Sequence, residues 1–404
     1  MKKPIFKPMA NLSIHRQIAF IIFLCCFNQS NILAQTPAAY HMNEYFGMLK
    51  GKKVALVVNQ TSEVKGTHLV DTLTKLGVNV VAIFAPEHGF RGNYSAGATV
   101  KNDKDEKTGI PVYSLYGSSK KPTKQQMQKT DLVVFDIQDV GARFYTYIST
   151  LHYVMEACAE HNKPIIVLDR PNPNGHYTDG PVLDMAFKSF VGMHPVPVVH
   201  GMTVGEYARM INGEGWLNKK ITCNLTVVKC KNYNHQKTYK LPVKPSPNLP
   251  TPESIYLYPS LCFFEGTNYS VGRGTEKPFE CVGKPGITVG DYYFTPKNIP
   301  GVADNALYAG KECRGYLLTD YAKNIAPFTN KINLFWLINL YQNDTAKSVF
   351  FNNFFDKLAG TDQLRKQIIN NLSEEEIRKS WQPKLKAYRQ MRSKYLLYES
   401  DEKY

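Results

Sequence analysis

A chain of 404 residues is long enough for two domains, or for one domain with a large second lobe, and at this size a core forms without disulfide or metal staples. Its formal net charge of +15 suits an anionic partner such as a carboxylate-bearing polymer, but the basic residues are spread along the chain without the Lys/Arg block of a nucleic-acid binder. Beyond residue 35 no apolar stretch is long enough to cross a bilayer, which excludes stable membrane insertion of the mature part.

The first 35 residues read as a secretory signal. Lys2, Lys3, Lys7 and Arg16 supply a basic start without an acid, and the apolar run Ile18 to Phe27 is too short to span a membrane. A small polar exit follows, with cleavage expected near Ala34 or Gln35. Cys25 and Cys26 lack the small preceding residues of a lipid-attachment site. The reading is export, with the periplasm favoured over the cell exterior. The remainder keeps a charge near +11 from the chain's +15, because the signal holds four basic residues. It keeps six cysteines, none with the C-x-x-C spacing of a zinc or redox site.

Strand-like and helix-like segments then alternate. Val54–Asn59 is a β-branched run, followed by a helical stretch with Leu69, Leu73 and Leu76 on one face. Val78–Phe84, the weaker Val112–Leu115, Leu132–Ile137 and Ile165–Leu168 are further strands, with a helix at Tyr147–Glu160 before the last. Continuous apolar strands separated by amphipathic helices argue for a parallel sheet covered on both faces. Ligands of such sheets sit beyond the carboxyl ends of the strands. Four of those ends carry dense polar groups: Asn59, Glu87-His88, Gln138-Asp139 and Asp169-Arg170.

Five prolines between Pro242 and Pro252 mark a lobe boundary, placing a Rossmann-like lobe at 36–245 and a smaller α+β lobe at 246–404. The second lobe opens with a loop rich in glycine and aromatics, Phe263 to Phe279. It closes with a helix that Ser373 and Glu376 cap, whose stripe Trp381, Leu385, Tyr388 and Met391 reads as packing.

Several common chemistries lack their residues. The turn after the first strand has no G-x-G-x-x-G, so a dinucleotide cofactor is not expected. No Walker loop, G-x-S-x-G elbow or H-E-x-x-H helix is present, and no metal is expected. Carboxylates, arginines and amides remain. Glu87 ends an apolar strand beside His88, where partial desolvation favours the protonated form that a general acid needs. Asp136, Gln138, Asp139, Arg143 and Tyr145 form a second cluster; Asp169, Arg170, Asn172 and Asn174 form a third on a proline-stiffened loop. Glu265, Asn268, Arg273 and Thr275 form a fourth, where glycines let backbone approach a ligand and aromatics offer faces to a sugar. Amides and arginine forks on stiff loops suit sugar hydroxyls and a carboxylate.

These residues resemble a known bacterial family. Pro86-Glu87-His88-Gly89-Phe90-Arg91-Gly92, Phe135 to Tyr147, Leu168 to Pro173, Ser246 to Pro250, Glu265 to Asn268 and Gly272 to Thr275 are similar, in order, to the signatures of the exo-β-N-acetylmuramidases (NamZ), formerly the DUF1343 family. The similarity runs from about Lys53 to Tyr398. It implies an exo-acting glycoside hydrolase that removes β-linked N-acetylmuramic acid from non-reducing ends of peptidoglycan fragments. It also implies a site between the two lobes, with Glu87 as the acid and no cofactor. Glycoside cleavage usually needs a second carboxylate, for which Asp139, Glu265 and then Asp136 are the candidates. The substrate's lactyl carboxylate would be met by Arg143, Arg170 or Arg273, with Asn59, His88, Arg91, Gln138, Tyr145, Asp169, Asn172, Asn268 and Thr275 as further contacts. A muropeptide-binding protein without turnover, or a hydrolase of another amino-sugar linkage, would use the same cleft.

Overall fold

The structure, a computed structural model, describes residues 34–91, 103–117 and 119–400. The expected export signal up to residue 33, and Gly92 of the first motif, lie outside the described residues. From Thr36 onward the described residues form one compact unit.

In chain order the first strands are β1 (Val54–Val58), a short hairpin of β2 (Glu63–Val64) and β3 (Thr67–His68), and β4 (Val80–Ala85). Next come β5 (Asp103–Lys104), β6 (Pro111–Ser114), β7 (Leu132–Asp136), β8 (Ile165–Leu168) and β9 (Leu225–Val228). One sheet holds β5-β6-β4-β1-β7-β8-β9 in that spatial order. All its pairings are parallel except the β5–β6 edge. Counting only the parallel strands, chain succession across the sheet is 3-2-1-4-5-6, the doubly wound Rossmann order. Every residue of β1, β7 and β8 is buried, which is why these strands are runs of Val, Leu, Ile, Ala and Phe with no solvent-facing side, broken only by Asp136 at the end of β7.

Two apolar layers sandwich the sheet. One face packs on the helix Tyr147–Glu160 and continues without a break into the C-terminal aromatics. The other packs on the N-terminal turns and the helix Leu69–Lys75. Leu69 and Leu73 are buried there, but Leu76 is 50% exposed, because the helix ends at Lys75 and Leu76 falls outside the buried stripe.

The proline-rich stretch wraps over the sheet rather than hanging free. The Pro245 carbonyl accepts from Tyr145 at 2.7 Å and from Gln60 at 3.0 Å. Its last member, Pro252, opens the helix Pro252–Leu261, capped by Thr251; this first helical position has no N–H to lose. The C-terminal region adds an antiparallel sheet of β10 (Cys281–Lys284), β11 (Tyr292–Phe294) and β12 (Cys313–Leu317), in the order β10-β12-β11, and a set of helices. The longest, Glu374–Ser393, carries the Ser373–Glu376 capping box and buries Ile377, Trp381, Leu385 and Tyr388. All six cysteines among the described residues are buried free thiols. No helix among those residues is long and apolar enough to cross a membrane.

Candidate active site

A cleft of about 810 Å³ opens at the carboxyl ends of β4 and β6. The sheet region supplies Glu87, His88, Tyr116, Lys120 and the run Phe144 to Tyr147. The opposite wall comes from Ser246, Leu249, Tyr258, Cys262, Glu265, Arg273, Phe279 and the loop Val302–Ala306, with Phe354 and Leu358. The site therefore lies where the sheet region and the C-terminal region face each other.

Glu87 is presented by a tight turn. Gly89 N–H closes onto the Pro86 carbonyl at 3.0 Å, leaving Glu87 and His88 as the central residues. His88 has φ of 70°, a left-handed backbone that an unbranched glycine fills more readily. The half-buried carboxylate accepts a 2.7 Å hydrogen bond from Thr146 Oγ1, at the start of the helix Tyr147–Glu160. Tyr116 is its second neighbour. Burial first, then the Glu87 charge and a hydrogen bond to it, hold the Tyr116 hydroxyl protonated well above its usual range, so it donates to the carboxylate. Two hydroxyl donors thus fix the Glu87 carboxyl group at the wall of the cleft.

Glu265 faces the same space from the other side. Its Oε1 accepts from Arg273 Nε at 2.7 Å and lies 2.6 Å from Arg273 Nη2. The guanidinium rests 5.1 Å from the centroid of Phe279, so the pair is fixed from below by an aromatic face. Glu265, Glu87 and Asp304 are the carboxylates that line this cleft. Among the described residues no group of three or more His, Cys, Asp or Glu is placed to hold a metal ion.

Of the residues expected from sequence, the structure brings Glu87, His88, Tyr145, Glu265 and Arg273 together in the cleft. The others do framework work. Arg143 is fully buried and donates at 2.8 Å to the carbonyls of Pro181, Val196, Leu358 and Ala359, which leaves no fork for a substrate. Arg170 forms a buried pair with Asp136 at 2.6 and 2.8 Å, which removes both from the cleft. Asp139 is turned inward, accepts from Gly141 N–H at 2.6 Å and does not line the cleft, whereas Glu265 does.

Asp169 accepts from Thr203, Gly205 and Tyr398, and burial pushes its carboxyl up to about 6. Asn59 accepts from Thr61, Gln138 donates to the Asp139 and Pro171 carbonyls, and Asn172 donates to the Met202 carbonyl. Arg91 pairs with Asp105 at 2.8 Å, and Thr275 donates to the Gly272 carbonyl. Asn268 is half-buried outside the cleft lining. A buried polar side chain at a strand exit has to be hydrogen-bonded, and the nearest partners are the loops it holds.

Sequence reasoning missed Tyr116, Lys120, Thr146 and Asp304. Two of them carried a signal. Tyr116 directly follows Leu115 at the exit of a recognised strand, and Thr146 sits inside the Phe135–Tyr147 motif.

Comparison with known proteins identifies the family. The sequence model for Exo-beta-N-acetylmuramidase NamZ, N-terminal, matches residues 54–253, and the corresponding C-terminal model matches residues 256–398. The chain belongs to the NamZ family. It is 41% identical over 390 residues to the Peptidoglycan beta-N-acetylmuramidase NamZ of Bacillus subtilis (strain 168), covering 90% of this chain and 91% of that protein. Crystal structures of two DUF1343 family proteins from Bacteroides fragilis NCTC 9343 share the fold. The first superposes with a TM-score of 0.83 at 46% identity, covering 91% of this chain and 100% of that one. The second gives 0.75 at 30% identity, covering 90% and 99%. In this NamZ chain the two family regions meet beside the Pro242–Pro252 stretch, and the cleft draws its walls from both.

Proposed function

We infer that this protein is an exo-acting glycoside hydrolase that releases β-linked N-acetylmuramic acid from the non-reducing ends of peptidoglycan fragments, in cell-wall turnover. The observation that carries the reading is Glu87, held in an 810 Å³ cleft by Thr146 at 2.7 Å and by Tyr116, in a chain of the NamZ family. Glu87 protonates the leaving glycosidic oxygen, the contribution a positioned general acid makes. Glu265, steered by Arg273, is the second carboxylate of the pair that glycoside cleavage usually needs. Aromatic faces of Tyr116, Phe144, Tyr258 and Phe190 along the lining suit the apolar faces of a sugar ring. The basic, apolar and polar succession of the first 35 residues supports export to the periplasm, where such fragments are trimmed.

The test is hydrolysis of a chromogenic β-N-acetylmuramide by the purified protein, beside the matching β-N-acetylglucosaminide. Cleavage of the muramide alone is expected. Binding of wall fragments with no turnover of either compound would replace this reading with that of a binding protein.

A further inference from the structure

The two sugars of the wall glycan differ by one group: N-acetylmuramic acid carries a lactyl ether with a carboxylate, and N-acetylglucosamine does not. An enzyme that takes only the first is served by an accessible cation in its cleft whose charge is not already paired. The arginines offered by the sequence do not meet that condition. Arg143 and Arg170 are sealed in the framework, and Arg273 is engaged by Glu265.

Lys120 meets it. This half-buried residue lines the same cleft. Its ammonium sits 4.6 Å from the centroid of Phe190, and no carboxylate among the described residues lies within ion-pair distance. Its neighbour Lys121 shows the ordinary alternative, with ion pairs to Glu156 and Glu160 at 2.9 and 2.7 Å. A ring beneath an ammonium restrains it by cation–π attraction yet consumes none of its three N–H donors. Those donors remain for a charged acceptor, the strongest being a carboxylate. Phe190 in turn lies 5.9 Å from Tyr116, whose hydroxyl reaches Glu87. Ammonium, ring, phenol and acid thus form one continuous wall, with the cation on the same side of the cleft as the group that cleaves.

We propose that Lys120, steadied over Phe190, binds the lactyl carboxylate of the terminal N-acetylmuramic acid and is the reason N-acetylglucosamine is refused there. This rests on the muramidase reading for the identity of the ligand. A site that hydrogen-bonds a charged group rejects the analogue lacking it, because the cation is then left desolvated and unpaired.

The experiment compares wild type, Lys120→Met and Lys120→Arg in two assays. One measures kcat and KM on a chromogenic β-N-acetylmuramide. The other measures binding of free N-acetylmuramic acid and free N-acetylglucosamine by calorimetry. Lys120→Met is expected to raise KM and the muramic acid Kd by about 10- to 100-fold, to leave kcat within a few-fold, and to leave N-acetylglucosamine binding unchanged. Lys120→Arg keeps the charge and is expected to recover most of the loss. Unchanged KM and Kd in Lys120→Met, or equal losses for both sugars, overturns the proposal. The failures separate cleanly. Wild-type turnover with discrimination that survives Lys120→Met removes Lys120 and leaves the muramidase reading standing. Discriminating binding that Lys120→Met abolishes, without any wild-type turnover, does the reverse.

Discussion

At the scale of single residues, the proposed chemistry turns on Glu87, and roles as acid and as structural group predict different results. Glu87→Gln keeps the shape and the partners Thr146 and Tyr116 but removes the proton to be donated. On a natural disaccharide, whose leaving oxygen is basic, the rate is expected to fall by about 10²- to 10⁴-fold with KM little changed. On an aryl glycoside with an acidic phenol the fall is expected to be much smaller, since that leaving group departs without help. Equal losses on both substrates would show that Glu87 positions the sugar instead. The place of Glu87 in the cleft was legible in the sequence because it lies just beyond the carboxyl end of an apolar parallel strand, where ligands of such sheets sit. Thr146 and Tyr116 were marked only by position, at a strand exit and inside a motif, because a hydroxyl shows no role in a pattern until the fold sets it against a carboxylate.

Secondary-structure elements carry a second lesson, and with it a pH dependence. The helix Tyr147–Glu160 buries His152, whose Nδ1 lies 2.9 Å from Nε2 of His194. His194 continues to the Tyr207 hydroxyl at 3.0 Å and stacks on Trp216 at 4.7 Å. Burial, only partly offset by Glu156, lowers His152 to about 4, and burial holds His194 well below its usual value. The sign follows from proton uptake. Both rings stay neutral in the folded protein while the unfolded chain protonates them near pH 6.5, so this stability is full above that pH and is lost as pH falls toward 4. For His152 alone the loss between pH 7 and pH 5 is about 2 kcal/mol. His152→Gln is expected to show a shallower decline over that interval in urea unfolding at pH 7, 6 and 5; a decline as steep as wild type would refute the assignment.

The elements themselves were readable. Buried parallel strands are continuous apolar runs, and four of the six parallel strands stood out for that reason; a fifth, Pro111–Ser114, gave a weaker run because alternate residues are only half-buried. The sixth, Leu225–Val228, is only partly buried and includes Thr226, so it gave no such run. Strand exits were harder. Asn59, Gln138, Asp139 and Asp169 have the residue types of a binding site, yet they bond neighbouring loops. A sequence shows that a polar group is present at an exit, but not which way its side chain turns.

Across the whole molecule, Arg143 joins the two sides of the cleft. One pair of its donors holds Pro181 and Val196 beside the sheet, and the other holds Leu358 and Ala359 at the end of a C-terminal helix. Leu358 also lines the cleft, so the joint fixes part of the wall that faces Glu87. Gly360 completes it. Its φ of 72° is left-handed, and a Cβ there would meet Arg143 Nη2 at 2.7 Å and Leu183 Cδ1 at 2.8 Å. Arg143→Met leaves four carbonyls without their donor, and a loss of about 3–5 kcal/mol in unfolding free energy is expected. Gly360→Ala attacks the same joint through backbone strain and steric displacement and is expected to destabilise as well. Because both changes weaken one joint, the double variant should lose less than the two single losses combined. A substrate-binding arginine gives the opposite pattern: Arg143→Met would raise KM while leaving the urea midpoint where it was. Unfolding curves of the two single variants and the double variant, measured beside KM at a temperature where all remain folded, decide between the joint and the clamp.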